Sequence, residues 1–165
     1  MNQASAGMAR LTAITALLGA LIVIISQVVT AYTLVEPLGN VIATVTLLEK
    51  HGFITALFGL AAALAVVFAV ATGSRAAAIV VVGLGAAVIL VFLFVDVPDI
   101  GNTGLYDSPG AGNLDATGEA AAGLWLELTG GVILILSGIA LSALNAIQLR
   151  AIGPATFPSR SGSSR

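Results

Sequence analysis

Four long apolar segments are the feature that most limits how this chain of 165 residues folds. A helix needs about 20 mostly apolar residues to cross the hydrocarbon core of a bilayer, because no water is present there to hydrogen-bond to a free backbone. Charged residues or short turns separate the segments. The sequence therefore predicts four transmembrane helices, over about residues 11–32, 52–72, 76–97 and 120–149.

The composition agrees with this prediction. Hydrophobic residues make up 58% of the chain and charged residues only 8%, whereas about a quarter of a soluble domain is charged. Cysteine is absent, which excludes disulfides and thiolate metal sites. The net charge of −2 and the lack of a basic patch argue against nucleic acid as a partner. We expect the lipid bilayer as a partner, and no cofactor, metal site or catalytic residue.

Basic residues indicate the orientation, because Lys and Arg near span ends are retained in the cytoplasm. All the arginines fall on one predicted side, and Lys50 falls on the other with the acidic residues. We therefore expect both termini in the cytoplasm. The first span could also be a secretory signal, but its apolar run exceeds the roughly 7–15 residues of a signal core. The arginines are Arg10, Arg75, Arg150, Arg160 and Arg165.

The predicted fold class is thus all-α: an antiparallel bundle of four transmembrane helices spanning residues 1–150. The first outer segment, residues 33–51, fits an interfacial helix or a short strand, and we favour the helix. The second, residues 98–118, is rich in Gly, Asp and Asn and predicts a loop. Residues 151–165 predict a disordered cytoplasmic tail.

Small residues predict where the helices pack, since lipid gives helices no hydrophobic reason to associate. Glycines recur within the second, third and fourth spans. We expect the helices to approach one another closely at Gly59, Gly83, Gly131 and Gly138.

Three short stretches carry a family resemblance. They are TGSR at 72–75, DVPDIG at 96–101 and GLWLEL at 123–128. Together they resemble small uncharacterised four-helix membrane proteins of actinobacteria, which implies a bacterial inner-membrane location and no particular chemistry. The vertebrate claudin-like tetraspans share the four-span plan, but paired loop cysteines are missing and we expect no large extracellular sheet. No relationship to them is inferred.

Acidic residues at two span ends form the candidate polar contact site. Asp96 ends the third span and Glu127 begins the fourth, so both lie at the outer boundary on neighbouring antiparallel helices, with Asp99 nearby. Carboxylates held close together need a cation or a donor between them, and Lys50 or His51 is available. The sequence favours the alternative, in which each carboxylate points into water and caps its helix end, because acids at an outer membrane boundary cost little free energy. For His51, a solvated or headgroup-facing position is favoured over metal binding, which requires several converging ligands.

The span midpoints contain no Asp, Glu, Lys, Arg or His. Ionisable residues at that depth are typical of ion and proton pathways. The sequence therefore predicts a structural or accessory membrane protein that binds another membrane protein or self-associates. A transporter or channel for a small solute or ion is the alternative, and an enzyme is not expected.

Overall fold

The computed structural model describes residues 3–108 and 112–152 of the chain. Four of its helices are long and apolar enough to cross a membrane. This confirms the predicted number of apolar helices and their approximate positions. The four candidate spans are Gly7–Ser26, Ile54–Thr72, Arg75–Asp99 and Ala122–Ser142.

Six α-helices and four strands make up the described part of the chain. The helices are α1 Gln3–Ser26, α2 Leu47–His51, α3 Ile54–Thr72, α4 Arg75–Val91, α5 Ala122–Ser142 and α6 Ala146–Arg150. A π-helical turn, Phe92–Asp96, and a 3₁₀ turn, Val97–Asp99, extend α4. The strands are β1 Thr30–Val35, β2 Val41–Thr46, β3 Thr103–Ser108 and β4 Gly112–Ala120.

The four long helices pack in a ring, α1 against α3, α3 against α4, α4 against α5 and α5 against α1. Glycines form several of these contacts. A Cβ atom on Gly59 would lie 2.9 Å from the carbonyl oxygen of Ala20, and one on Gly138 would lie 2.9 Å from the amide nitrogen of Val82. No other residue can replace Gly59 or Gly138 unless the neighbouring backbone moves. Gly131 also packs closely, with its Cβ position 2.9 Å from Ile89.

Gly83 does not pack as predicted. A Cβ atom there would meet nothing within 4 Å, and the residue is exposed. The helical period explains the error, because Gly85 lies on the face of α4 that meets α5. Its Cβ position is 2.9 Å from Cβ of Leu134.

The two ends of the helical layer differ, and we call them the tail end and the sheet end. At the tail end a tight turn joins α3 to α4, with Gly73 in the left-handed region (φ 70°) and the Ser74 hydroxyl accepting from the amide of Ala77. Arg75 Nε donates to the carbonyl of Leu144 at 3.0 Å, and Arg150 Nε donates to that of Thr72 at 3.0 Å. These two hydrogen bonds thus join the turn to the segment around α6.

The sheet end carries a four-stranded antiparallel sheet in the order β2-β1-β4-β3. The all-α prediction is therefore wrong, and so is the expectation that a sheet is missing. The segment predicted as an interfacial helix is mostly the β1–β2 hairpin, and only α2 is helical. The segment predicted as a loop contains β3 and β4. Two strands from each segment form the sheet, because β1 pairs with β4 across Tyr32–Ala120 to Val35–Thr117.

The β1–β2 connection follows from its turn residues. Pro37 sets a fixed φ at the second position of the turn, and the amide of Gly39 donates to the carbonyl of Glu36 at 2.8 Å. Gly39 has a positive φ of 87°, which a residue with a side chain rarely adopts. The chain therefore reverses after β1 and pairs with itself.

Two predicted span boundaries are wrong. The first helix ends at Ser26, and Tyr32 belongs to β1. The last long helix ends at Ser142, because Asn145 begins a new helix through a capping box with Gln148. Residues 109–111 and 153–165 lie outside the described part of the chain, and so does almost all of the predicted disordered tail.

Candidate functional site at the sheet end

Helix α2 presents the two basic residues of the site. It begins with a capping box in which the Thr46 hydroxyl accepts from the amide of Glu49, and Glu49 Oε2 accepts from the amide of Thr46 at 2.8 Å. These hydrogen bonds from the backbone and hydroxyl of Thr46 hold the pKa of Glu49 below its ordinary value. The cap fixes the start of the helix, so that Lys50 and His51 follow within one turn.

The extension of α4 presents the first carboxylate. Pro98 prevents an α-helix from continuing, because its ring clashes with the preceding turn. The chain instead widens into the π-helical turn that ends at Asp96, a distortion that is frequent at functional sites. Asp96 is completely buried.

Lys50 lies at the centre of a dense set of contacts. Its Nζ is 3.0 Å from Asp96 Oδ1 and 2.7 Å from Asp99 Oδ2. It donates to the hydroxyl of Tyr32 at 2.8 Å and to the carbonyl of Val95 at 2.9 Å. It also lies 4.6 Å from the centre of the Tyr32 ring, within cation–π range. One ammonium thus joins α2, β1 and the end of α4.

The surroundings raise the pKa of both Lys50 and Tyr32. Burial alone would lower the pKa of Lys50, but its hydrogen bonds to Asp99, Tyr32 and Asp96 outweigh burial and raise it. Burial raises the pKa of Tyr32 to about 12, although the Lys50 ammonium opposes this. Lys50 is therefore charged and Tyr32 neutral throughout the physiological range. Tyr32 in turn donates to the backbone carbonyl of Asp96 at 2.8 Å.

Behind Lys50 lies a second group of side chains. Donor atoms of His51, Asp96 and Glu127 all fall within 4.8 Å of one another. Both oxygens of Glu127, Oδ2 of Asp96 and both ring nitrogens of His51 are buried without a hydrogen-bond partner. Thr55, on α3, lies close to Glu127 and is also buried with its hydroxyl unpartnered. The expectation of a solvated His51 is wrong.

The sheet is the reason why these groups are shielded from water. Strand β1 lies directly on the start of α5, where a Cβ atom on Gly123 would be 2.9 Å from the carbonyl oxygen of Thr30. A small apolar cluster fills the layer below the sheet. It consists of Ala31, Tyr32, Leu47, Phe92 and Leu124.

A cavity of about 320 Å³ lies beside Lys50, under the face of the sheet. Its lining is mostly apolar, including Leu34, Val45 and Leu105. Lys50 and Asp99 are charged side chains in that lining. Asp99 is half exposed, in contrast to Asp96.

No protein-family model, curated protein or solved structure matches this chain. The geometry of the sheet end therefore carries the functional inference.

The structure brings together all five residues of the predicted contact site. Asp96 and Asp99 share Lys50, and Glu127 and His51 meet Asp96 on its other side. The alternative in which every carboxylate points into water is wrong for Asp96 and Glu127, which are fully buried.

Sequence reasoning missed Tyr32 and Thr55 as members of the site. Tyr32 was assigned to the end of the first span, and only its polar hydroxyl at the end of an apolar run hinted that it needs a partner. Thr55 gives no signal in the sequence, because a single hydroxyl in an apolar helix ordinarily hydrogen-bonds to a backbone carbonyl, whereas the Thr55 hydroxyl has no hydrogen-bond partner.

Proposed function

We propose that this chain is a multi-pass protein of the bacterial inner membrane, of structural or accessory type. It binds another membrane protein, or a second copy of itself, through the sheet end. Both termini lie in the cytoplasm, and the sheet faces away from it. The observation that supports this proposal is the separation of the polar side chains from the middle of the helical layer.

Charged residues of the candidate spans lie only near their ends. Arg10 and Arg75 are at the tail end, and Asp96, Asp99 and Glu127 are at the sheet end. The middle of the helical layer is packed with small and aliphatic side chains. The fully buried ones include Ala16, Ala20, Val66, Val81 and Leu134. Such packing offers an ion no polar path.

The sheet end offers positions at which a partner can be detected. Leu38, in the β1–β2 turn, is 87% exposed, and Val41 at the start of β2 is 58% exposed. A photo-crosslinking residue at Leu38 should give a protein adduct of defined mass in intact cells. The matched control is Leu57, which is 59% exposed on the apolar helix α3 and should react mainly with lipid. Absence of a protein adduct at both Leu38 and Val41 would contradict the proposal.

Cysteine labelling tests the orientation. Asn40→Cys, in the β1–β2 connection, should react with an impermeant thiol reagent in intact cells. Ser74→Cys, in the turn at the tail end, should react only after the membrane is opened. Labelling of Ser74→Cys from outside would reverse the assigned orientation.

One observation favours the alternative of ion transport. Glu127 lies one turn and a half inside a candidate span and is fully buried, and ionisable groups inside spans often mark ion pathways. Liposomes that contain the reconstituted protein should nevertheless maintain a pH or sodium gradient. A leak that Glu127→Gln abolishes would replace the accessory proposal with transport.

A further inference from the structure

The group formed by His51, Asp96 and Glu127 has no role in the proposed partner contact, since it lies beneath the sheet. Its three members come from α2, the π-helical turn and α5. Residues distant in sequence thus place their donor atoms within 4.8 Å of one another. Three converging donors from three elements meet the first geometric requirement for a metal site.

The unpartnered atoms point to a ligand. Glu127 is completely buried, yet neither of its oxygens has a hydrogen-bond partner. His51 Nε2 lies 3.5 Å from Asp96 Oδ1 without forming a hydrogen bond. Buried polar groups are nearly always satisfied, because leaving a donor or acceptor bare costs free energy. Several bare donor atoms facing one another require something between them.

The charges specify what that something is. Asp96, Asp99 and Glu127 carry three negative charges when ionised, whereas Lys50 carries one positive charge. Two negative charges are in excess, and two of the three carboxylates, Asp96 and Glu127, are fully buried. Buried charges are normally paired or coordinated to a metal. A divalent cation balances this excess.

We propose that His51, Asp96 and Glu127 bind a divalent transition-metal cation, for which Zn²⁺ is the best match. One imidazole nitrogen and two carboxylate oxygens suit Zn²⁺, whereas Mg²⁺ prefers oxygen ligands and keeps much of its water. Three protein ligands leave one position of a tetrahedral ion for water. Bound Zn²⁺ lies about 2.0–2.2 Å from each nitrogen or oxygen ligand, so binding draws the three side chains closer together.

The neighbouring hydrogen bonds orient the first carboxylate for this role. Lys50 and Tyr32 both donate to Oδ1 of Asp96, at 3.0 Å and 3.2 Å. Oδ2 is left free for the metal. Hydrogen-bonded partners of this kind fix the orientation of metal ligands.

Binding is tested with the full-length chain, purified in mild detergent with a tag that contains no histidine and stripped with a chelator. Calorimetric titration with ZnCl₂ should show one equivalent bound per chain, and Zn²⁺ should raise the unfolding temperature. A chelator should reverse both effects. MgCl₂ at the same concentration should produce neither. Absence of saturable Zn²⁺ binding to the wild-type chain overturns the proposal.

Variants locate the site. His51→Gln and Glu127→Gln should each lower Zn²⁺ affinity by at least about tenfold, the smallest loss that removal of an outer-shell partner produces. Asp99→Asn is the matched control. It removes one negative charge from the same cluster but no proposed ligand, so it should still bind one equivalent with a smaller loss.

Because two ligand variants, His51→Gln and Glu127→Gln, are measured, the location of the Zn²⁺ site can still be tested if one of them fails to fold. Thermal unfolding of each metal-free variant checks its fold, and His51→Gln suffices alone because the His51 ring makes no hydrogen bond. Zn²⁺ binding that is unchanged in both variants places the metal elsewhere and overturns the proposal.

Discussion

The helical layer and the sheet end are stabilised by different interactions. In the helical layer, glycine and alanine let backbones approach, and the contacts are apolar and numerous. At the sheet end, a few charged and polar side chains join the elements. Lys50, for example, contacts both the extension of α4 and β1. Stability in the first region is spread over many small contacts. In the second it is concentrated in a few side chains.

The difference has a physical basis. In a bilayer, lipid tails would be as apolar as the side chains within the helical layer, so only close packing would favour contact between helices. The sheet end shields its polar groups from water, so their electrostatic interactions with one another are strengthened. A substitution should therefore have its largest effect where few side chains carry the contacts.

Replacing Lys50 with Met should have the largest effect. The substitution keeps the length of the side chain but leaves the buried Asp96 carboxylate without its cation. Removing one member of a buried pair costs about 3–5 kcal/mol, and the lower value applies because Lys50 is 17% exposed. Chemical denaturation in detergent measures the loss. The double variant Lys50→Met/Asp96→Asn should recover part of it, and no recovery would mean that the two side chains are not coupled.

The glycines of the helical layer supply the next prediction. Gly59→Leu should lower the free energy of unfolding by about 1–3 kcal/mol, as overpacking does, because a Cβ atom meets the Ala20 carbonyl at 2.9 Å. Gly83→Leu is the matched control, a helical glycine with nothing within 4 Å. It should be neutral or slightly stabilising. Equal losses in both variants would show that close contact at Gly59 is not the cause.

Alkaline pH should weaken the sheet end by a smaller amount. The pKa of Tyr32 is raised to about 12 from 10.0, so its contribution to stability is complete below pH 10. It is lost as the pH rises from 10 towards 12, because the unfolded chain releases the phenol proton first. Ultraviolet titration of the phenolate should show this late ionisation. Tyr32→Phe should lack both the signal and this component of the stability loss.

The smallest effect is expected at the start of α2. Glu49 has a lowered pKa, so its stabilising contribution is present above its ordinary pKa and is lost as the pH falls through the lower, folded value. Glu49→Gln should remove this acid dependence while leaving neutral-pH stability almost unchanged, since Gln still fits a capping box. Unfolding temperatures measured between pH 3 and pH 6 compare the two chains. An unchanged acid dependence would assign it to another carboxylate.

The helical layer was largely predictable, and the sheet was not. A long apolar run identifies a span because the bilayer requires one, whatever the rest of the chain does. The first such run continues past Ser26 into β1, and hydropathy does not distinguish Tyr32 in a helix from Tyr32 in a strand. In β4, Gly112, Asn113 and Asp115 have low strand propensity. These residues are extended because β3 pairs with them.

Five members of the candidate site were predictable from the sequence, but Tyr32, Thr55 and the burial of the site were not. Asp96 and Glu127 end and begin antiparallel neighbours, and span length alone places them at the same level. Their exclusion from water depends on β1, which lies over the start of α5. The sequence positions of Asp96 and Glu127 do not reveal that a strand from the other outer segment lies over them. Tyr32 was missed for the same reason.

The central pairing of β1 with β4 also fixes an order of assembly. Val35 pairs with Thr117, and α3 and α4 lie between these two residues in the sequence. The pairing therefore forms only after both helices have been synthesised. Loops that long close at an entropic cost, and contacts distant in sequence form slowly. We therefore expect a nascent chain that ends before Gly112 to leave β1 without its central neighbour. Glu127 lies on α5. We expect its buried surroundings to form last, after α5 has been synthesised and β1 has paired with β4.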